Sequence, residues 1–375
     1  MKHIKEEYNE LINKKTNRNR HFKKKFKIQK RNLNTSNKEK RVNNIENKTQ
    51  INQKKYFSQS SNFTNYKTST LKNNFKILNY HTETINHLSI LKDGRLVSCS
   101  DDKSFNIYNI KSYELQLSIK EHSNGILSFT QLNNGLIITC SKDKTMKVIK
   151  LINDDKYEII QTLIGHNNTV MKVIEIKNNE LISISREENM KIWILNKKNE
   201  FVCILNIIFQ KNGWLCTCNI LKLNKNEFVT LSLQDRNLKF WNCNNYSYIT
   251  NINKINTVWQ VNNMCLINEN LLCISGNIYK GFYLIQISNH QIIKNIIGNK
   301  IIWSIYKCLD GLFLCSILNN YSDNSIVKYK YENLNMEIIC IKDKAHDDEF
   351  INSCVELHNG TIASSGYDNL IKLWS

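Results

Sequence analysis

Beyond residue 70 the chain alternates short apolar runs with polar turns. Typical turns are Leu91-Lys-Asp-Gly-Arg95 and Leu132-Asn-Asn-Gly-Leu136, in which Asp-Gly or Asn-Gly lies between two apolar runs. Such dipeptides favour the tight turns of β-hairpins. The pattern therefore predicts an all-β region built from short antiparallel strands.

The same pattern recurs at a regular interval. In four repeats a histidine is followed 21 or 22 residues later by an acidic residue, with a serine or threonine between them. These sets are His81, Ser98 and Asp102; His122, Thr139 and Asp143; His166, Ser183 and Glu187; and His346, Ser364 and Asp368. An interval of about 40–45 residues with four short strands per unit is typical of β-propeller blades.

Three weaker copies fill the middle of the chain. Asp235 precedes Trp241 by six residues, and Asp323 precedes Tyr329 by the same interval. Residues 271–285 have the strand pattern without the acid. Together with the four clear repeats, these copies predict seven blades.

These motifs resemble the WD-repeat family over roughly residues 71–375. The resemblance implies a seven-bladed β-propeller. The copies are divergent, because Trp193-Ile, Trp241-Asn and Trp374-Ser replace the literal Trp-Asp pair. In this family the His, Ser or Thr, acid and Trp of a repeat form a hydrogen-bond network. The resemblance thus implies a structural role for the four sets above and for Trp193, Asp235, Trp241 and Trp374.

The ends of the repeat region predict how the ring closes. The last blade lacks a fourth strand before Ser375, and the run Phe75-Lys-Ile-Leu-Asn79 forms an additional strand before His81. Pairing these two segments would satisfy an otherwise open sheet edge. We therefore expect the N-terminal strand to complete the last blade.

The repeated His, Ser and Asp residues could be mistaken for a catalytic triad. A catalytic set is needed once, whereas a set that recurs at the interval of the fold is structural. The sequence has no Gly-rich phosphate loop, and Cys216-Thr-Cys218 lacks a second pair at zinc-finger spacing. We therefore expect no enzymatic activity, no cofactor, no metal and no small-molecule substrate.

The resemblance also implies a partner-binding rim. In this family the start of the inner strand and the residue before the acid face the upper rim, where partners often dock. The first position is Asn86, Leu127, Met171, Trp259 or Trp303, with Trp214 nearby, and the second is Asp101, Lys142, Arg186, Gln234 or Tyr367. We predict partner contacts from Leu127, Met171, Trp214, Trp259, Trp303, Lys142, Arg186 and Tyr367, because large aromatics dominate binding surfaces. The alternative is that the Trp side chains fold inward and fill the channel.

Charge is concentrated in the N-terminal segment. The chain has 52 basic and 33 acidic residues, of which residues 1–70 hold 19 and 5. This segment is poor in aliphatic residues and is predicted to be a disordered basic tail. The basic patch at residues 21–31 is either a nuclear-import signal or an anion-binding arm for RNA or an acidic protein surface. It is equally interpreted as a solvated tail produced by AT-rich coding.

The compartment is predicted from the cysteines and the apolar runs. Residues such as Cys99, Cys140, Cys273 and Cys315 lie in strand-like runs, as reduced core thiols do. The longest apolar run, residues 201–209, is about half of a bilayer span. We expect an intracellular protein, cytoplasmic or nuclear, without a membrane segment.

These observations favour a non-enzymatic protein-interaction scaffold or adaptor. The alternative is an RNA- or ribonucleoprotein-associated factor that uses the basic tail. A substrate receptor of a ubiquitin ligase is the least favoured, because the Trp-Asp-x-Arg element of some such receptors is absent.

Overall fold

The structure, a computed structural model, describes most of the chain after residue 68. The described residues are 69–70, 75–109, 111–186, 189–208, 217–232, 236–253, 255, 263–276, 281–296, 301–319, 323–346 and 349–375. They form 29 β-strands. No helix in these ranges is long and apolar enough to cross a bilayer.

The first two strands belong to the last two blades, and the next twelve form blades 1 to 3. They are β1 (Ser69–Thr70) and β2 (Phe75–Leu78). Blade 1 contains β3 (Ile85–Ile90), β4 (Leu96–Ser100), β5 (Phe105–Tyr108) and β6 (Leu115–Ile119). Blade 2 contains β7 (Ile126–Gln131), β8 (Ile137–Ser141), β9 (Met146–Leu151) and β10 (Tyr157–Leu163). Blade 3 contains β11 (Val170–Lys177), β12 (Glu180–Ser185), β13 (Asn189–Leu195) and β14 (Phe201–Ile208).

The remaining strands complete blades 4 to 7. Blade 4 contains β15 (Thr217–Lys222), β16 (Glu227–Ser232), β17 (Leu238–Asn242) and β18 (Tyr248–Ile252). Blade 5 contains β19 (Met264–Asn268), β20 (Leu271–Ser275), β21 (Phe282–Gln286) and β22 (Gln291–Ile296). Blade 6 contains β23 (Ile301–Lys307), β24 (Phe313–Asn319), β25 (Asp323–Glu332) and β26 (Asn335–Lys342). Blade 7 contains β27 (Ile351–Glu356), β28 (Ile362–Gly366), β29 (Ile371–Trp374) and β2.

The seven sheets form a closed ring. The first strand of each blade contacts the first strand of the next, and β27 of blade 7 contacts β3 of blade 1. The four main strands of a blade pair antiparallel with their neighbours, as in β3–β4 and β4–β5. The predicted seven-bladed, all-β propeller is therefore confirmed.

The hydrophobic core lies between neighbouring blades. One cluster joins Ile138 of blade 2 to Val173 and Trp193 of blade 3. Second strands such as β4 and β20 are buried along their whole length, because each lies between two packed sheets. Cys99, Cys140, Cys273 and Cys315 are buried and free, as predicted. Burial raises the pKa of the Cys140 thiol to about 12.

The N-terminal strand closes the ring as predicted. β2 pairs antiparallel with β29, with Phe75 opposite Trp374 and Leu78 opposite Ile371. Leu78 is 2% exposed and packs in one cluster with residues of blades 1 and 7. The closing strand thus covers the outer edge of blade 7 and adds an apolar side chain to the core.

Blade 6 carries a fifth strand that sequence analysis did not predict. Ser69 and Thr70, assigned to the tail, form β1 and pair parallel with Cys340 and Ile341 of β26. Pairing of this kind uses backbone groups, so it leaves no trace in the hydrophobic pattern. Residues 1–68, including the basic patch, lie outside the described residues.

Candidate partner-binding rim

The repeated His, Ser or Thr and Asp residues form the same contacts in three blades. In blade 1, His81 Nδ1 lies 2.9 Å from Asp102 Oδ2, and its Nε2 lies 2.6 Å from Ser98 Oγ. The matching distances are 2.8 and 2.8 Å at His122 in blade 2 and 2.7 and 2.7 Å at His346 in blade 7. The aspartate also accepts backbone N–H groups of the adjoining loop, as Asp102 does from Thr82. Each network therefore ties a turn to the loop between blades.

Blades 3 and 4 contain parts of this network. In blade 3, His166 Nε2 lies 2.7 Å from Ser183 Oγ, which accepts a hydrogen bond from Trp193 Nε1 at 2.9 Å. Trp374 Nε1 donates in the same way to Ser364 in blade 7, and Trp241 Nε1 donates to Thr230 in blade 4. Glu187 and Asp235, predicted to supply the acids of blades 3 and 4, lie outside the described residues.

Burial separates these networks from catalytic triads. Ser98, Thr139 and Ser364 are each 0% exposed, so no substrate can reach their hydroxyl groups. Burial opposes the charge of Asp102, but hydrogen bonds from His81 and Ser104 lower the pKa of that carboxyl well below its usual range. The carboxylates are thus charged structural anchors at neutral pH.

A β-bulge marks the start of the inner strand in six blades. Pairing with the second strand skips one residue there, and the extra residue is turned away from the regular alternation. The skipped residues are Asn86, Leu127, Met171, Cys218, Trp303 and Asn352. Trp303 therefore occupies the position that the sequence alignment gave it.

A second set of residues lies beside these bulges. The residue before the network acid donates its backbone N–H to a carbonyl of the loop that precedes the inner strand. The pairs are Asp101 with Thr84, Lys142 with Gly125, Arg186 with Thr169 and Tyr367 with Phe350, at 2.9, 2.9, 3.0 and 3.0 Å. Both predicted sets are therefore at the same end of their blades, which we call the rim.

Three aromatic side chains contact one another on the rim. The ring of Phe350 lies 5.3 Å from that of Trp303 and 5.3 Å from that of Tyr367, measured between centroids. All three side chains are partly exposed. Burial, with Asp101 and Glu349 nearby, raises the pKa of Tyr367 to about 12, so its hydroxyl is neutral. We call Trp303, Phe350 and Tyr367 the aromatic rim cluster.

Hydrogen bonds between blades orient this cluster. Trp303 Nε1 donates to Asn352 Oδ1 at 3.2 Å, and Asn352 Nδ2 donates to the carbonyl of Ile85 at 2.9 Å. Asn86 Nδ2 repeats the second contact, donating to the carbonyl of Ile126 at 2.8 Å. The indole of blade 6 is therefore held through blade 7 to blade 1.

Comparison with family models gives a match to the WD40 model, described as WD domain, G-beta repeat, over residues 72–109, 113–150 and 339–375. The chain is a WD-repeat β-propeller. The matched residues cover the closing strand and most of blades 1, 2 and 7, the blades whose described residues include a complete His–Asp network. A search of curated proteins gives no significant match.

Two predicted contact residues of this WD-repeat propeller are buried instead. Leu127 and Met171 are 9% and 7% exposed and pack in a core cluster with Ile184 and Met190. The neighbouring blade covers both side chains. They leave little surface for a partner, and we drop them from the proposed surface.

Two charged rim residues of the WD-repeat chain form an ion pair with each other. Lys142 Nζ lies 2.6 Å from Asp101 Oδ1, and both side chains are largely buried. A Cβ at Gly125 would lie 2.4 Å from the same carboxylate oxygen. Asp101, Gly125 and Lys142 thus form a tight contact between blades 1 and 2, while Arg186 is half-buried.

The structure does not test the remaining rim predictions. Trp214, Trp259 and Gln234 lie outside the described residues and stay predictions. Phe350 was missed because sequence analysis considered only the bulge position and the residue before the acid. The signal was an aromatic residue at the loop position where the other blades have Thr84, Gly125 and Thr169.

One cluster of possible metal ligands lies away from the rim. Ligand atoms of Cys308, Asp310 and Glu356 lie within 4.8 Å of one another. Lys328 Nζ lies 2.8 Å from Asp310 and 2.6 Å from Glu356. Burial opposes the charge of Lys328, but hydrogen bonds to both carboxylates raise its pKa to about 12. The lysine ammonium contacts both carboxylates, so the cluster is an ion-pair network.

Proposed function

We propose that this WD-repeat protein is a non-enzymatic protein-interaction scaffold that binds a partner protein through the aromatic rim cluster. WD-repeat propellers are typically interaction scaffolds. The observation that supports this site is the contact of Trp303, Phe350 and Tyr367, which lie on two adjacent blades and are partly exposed.

The cluster has the physical properties of a binding anchor. Large aromatic side chains bury much area and commonly dominate binding energy. The hydrogen bond from Trp303 to Asn352 holds the indole in one orientation before a partner arrives. Less conformational entropy is then lost on binding, which strengthens affinity.

A second candidate function rests on the charge of the N-terminal segment. Residues 1–70 have a net charge of +14, whereas residues 71–375 have +5. In this alternative the segment binds RNA backbone phosphates and the propeller holds a protein. We place either function in the cytoplasm or nucleus, and we rank a ubiquitin-ligase receptor below both.

Partner capture by variants tests the proposal. Full-length protein, Trp303→Ala and Phe350→Ala are used as baits, and captured proteins are identified by mass spectrometry and ranked by loss in the variants. Tyr248→Ala is the matched control, because Tyr248 is an aromatic residue that is 51% exposed on the outer strand of blade 4. Loss of a central anchor costs about 2 kcal/mol or more, so affinity for the partner should fall about 30-fold.

Two outcomes separate the candidate functions. All baits must first melt like the wild type, because loss of folding would also abolish capture. Capture that survives both rim variants and disappears when residues 1–65 are deleted would reject the rim. Affinity should then fall steeply with salt, because each neutralised phosphate releases counterions.

A further inference from the structure

The outer edge of blade 3 is both long and uncharged. Within the described residues, β14 and β26 are the longest fourth strands, with eight residues each. β26 contains Glu337 and Lys342, and β1 covers its edge. β14 contains no charged residue, and it is the last strand of its sheet.

The side chains of β14 are apolar and exposed. Val202, Ile204, Leu205 and Ile208 are 40%, 50%, 39% and 60% exposed. The neighbouring β10 contacts β14, and Ile164, which follows it, is 75% exposed. Edge strands usually carry a charge or are covered, because an open apolar edge pairs with other strands. Within the residues that the structure describes, β14 has neither protection.

The open part of this edge has a defined beginning. The Gln161 side chain accepts a hydrogen bond from the Phe201 N–H at 2.7 Å and donates to the Phe201 carbonyl at 2.9 Å. This amide covers the edge at Phe201 as a partner strand would. The seven residues Val202–Ile208 remain, with a bulge at Ile204 within them.

We propose that β14 pairs antiparallel with β14 of a second copy of this chain, which joins blade 3 of two propellers into one sheet. Antiparallel pairing of a strand with itself gives a closed two-fold interface. Because β14 is uncharged, identical copies meet there without the repulsion that like charges cause across strands.

The available area and charge are consistent with a dimer. The exposed aliphatic side chains of β14 and Ile164 contribute an apolar area on the order of 500 Å² per copy, and two copies reach the roughly 1,000 Å² of a specific interface. Residues 71–375 carry 33 basic and 28 acidic groups, so two propellers repel weakly. A closed two-fold contact also predicts that association stops at two copies.

A charge placed on the edge tests this pairing. We expect sedimentation of the full chain between about 1 and 100 µM to show the monomer of 44.1 kDa converting to a dimer. Ile204→Lys should weaken the dimer at least tenfold. Ile293→Lys is the matched control, because both isoleucines are the skipped residue of the outer-strand bulge, in blades 3 and 5, and both are exposed. A wild-type chain that stays monomeric at 100 µM, or equal dimers in both variants, would overturn the proposal.

Crosslinking locates the contact. Cys203 lies on β14 and is exposed, whereas the other cysteines whose side chains the structure describes are buried or half-buried. For registers centred between Cys203 and Leu205, the two Cys203 residues lie within about 15 Å at the usual rise of a strand. A bismaleimide of that reach should link wild-type dimers and fail with Cys203→Ser and Ile204→Lys. Linked dimers that persist in Ile204→Lys would contradict pairing at β14.

Discussion

Blades 1, 2 and 7 carry His–Asp networks that the described residues of blades 4 and 5 do not show, yet blades 4 and 5 also have a packed core. His122 and Asp143 connect the loop and turn of blade 2, whereas in blade 4 the Trp241 indole donates a hydrogen bond to Thr230. Yet blades 4 and 5 share a continuous cluster that includes Phe240 and Ile285. The strand pattern is therefore sufficient to form a blade, and the network adds rigidity to the rim.

The largest expected effect comes from the strand that joins the two ends of the ring. Deleting residues 71–80 removes β2, including the buried Leu78, and should cost at least about 3 kcal/mol, since loss of one buried leucine alone costs about 2–5 kcal/mol. Deleting residues 1–65 should leave stability unchanged. Thermal melting of both truncations checks this, and equal melting temperatures would show that β2 is not needed for closure.

The next largest effect is the stability lost when the aspartate of a network is removed. Asp143→Ala and Asp368→Ala should each lower the free energy of unfolding by about 1–3 kcal/mol, because His122 and His346 lose buried hydrogen-bond partners. Asp154→Ala is the control, because its side chain is 82% exposed. Urea unfolding gives the comparison, and losses equal to that of the control would remove the structural role.

Acid should weaken the His–Asp networks of blades 1, 2 and 7. Hydrogen bonds outweigh burial and lower the pKa of Asp102, Asp143 and Asp368 in the folded chain. The unfolded chain, with a pKa near 3.9, then binds protons more readily, so this stabilisation is present above about pH 4 and is lost as pH falls below it. Asp143→Asn should therefore lose less stability than the wild type between pH 5 and pH 3. Parallel losses in urea titrations at the two pH values would contradict this.

The same contrast explains which features sequence analysis found. The interval of the repeats and the strand at residues 75–79 follow from the hydrophobic pattern, so the ring and its closure were predicted. Phe350 joins the rim because segments near residues 303, 350 and 367 meet, which no local pattern encodes. Leu127 and Met171 were placed correctly at the start of the inner strand, but their burial depends on how the next blade packs.

The smallest effect compares one substitution in two blades. Thr139 of blade 2 and Thr230 of blade 4 lie on second strands and are 0% and 2% exposed. Replacement by valine removes the hydroxyl and nearly preserves the shape. Thr230→Val breaks the bond from Trp241 and should cost about 1 kcal/mol, the usual net value of one hydrogen bond.

Thr139→Val should cost about 1 kcal/mol more than Thr230→Val. The Thr139 hydroxyl contacts His122, which in turn holds Asp143, and bonds in such a chain polarise one another. The double variant Thr139→Val with Asp143→Ala should then lose less stability than the two single changes together, because both act on one network. Urea unfolding of the three variants measures this coupling. Equal costs for the two threonines and additive losses would show that the blade 2 network is no stronger than the Trp241–Thr230 bond of blade 4.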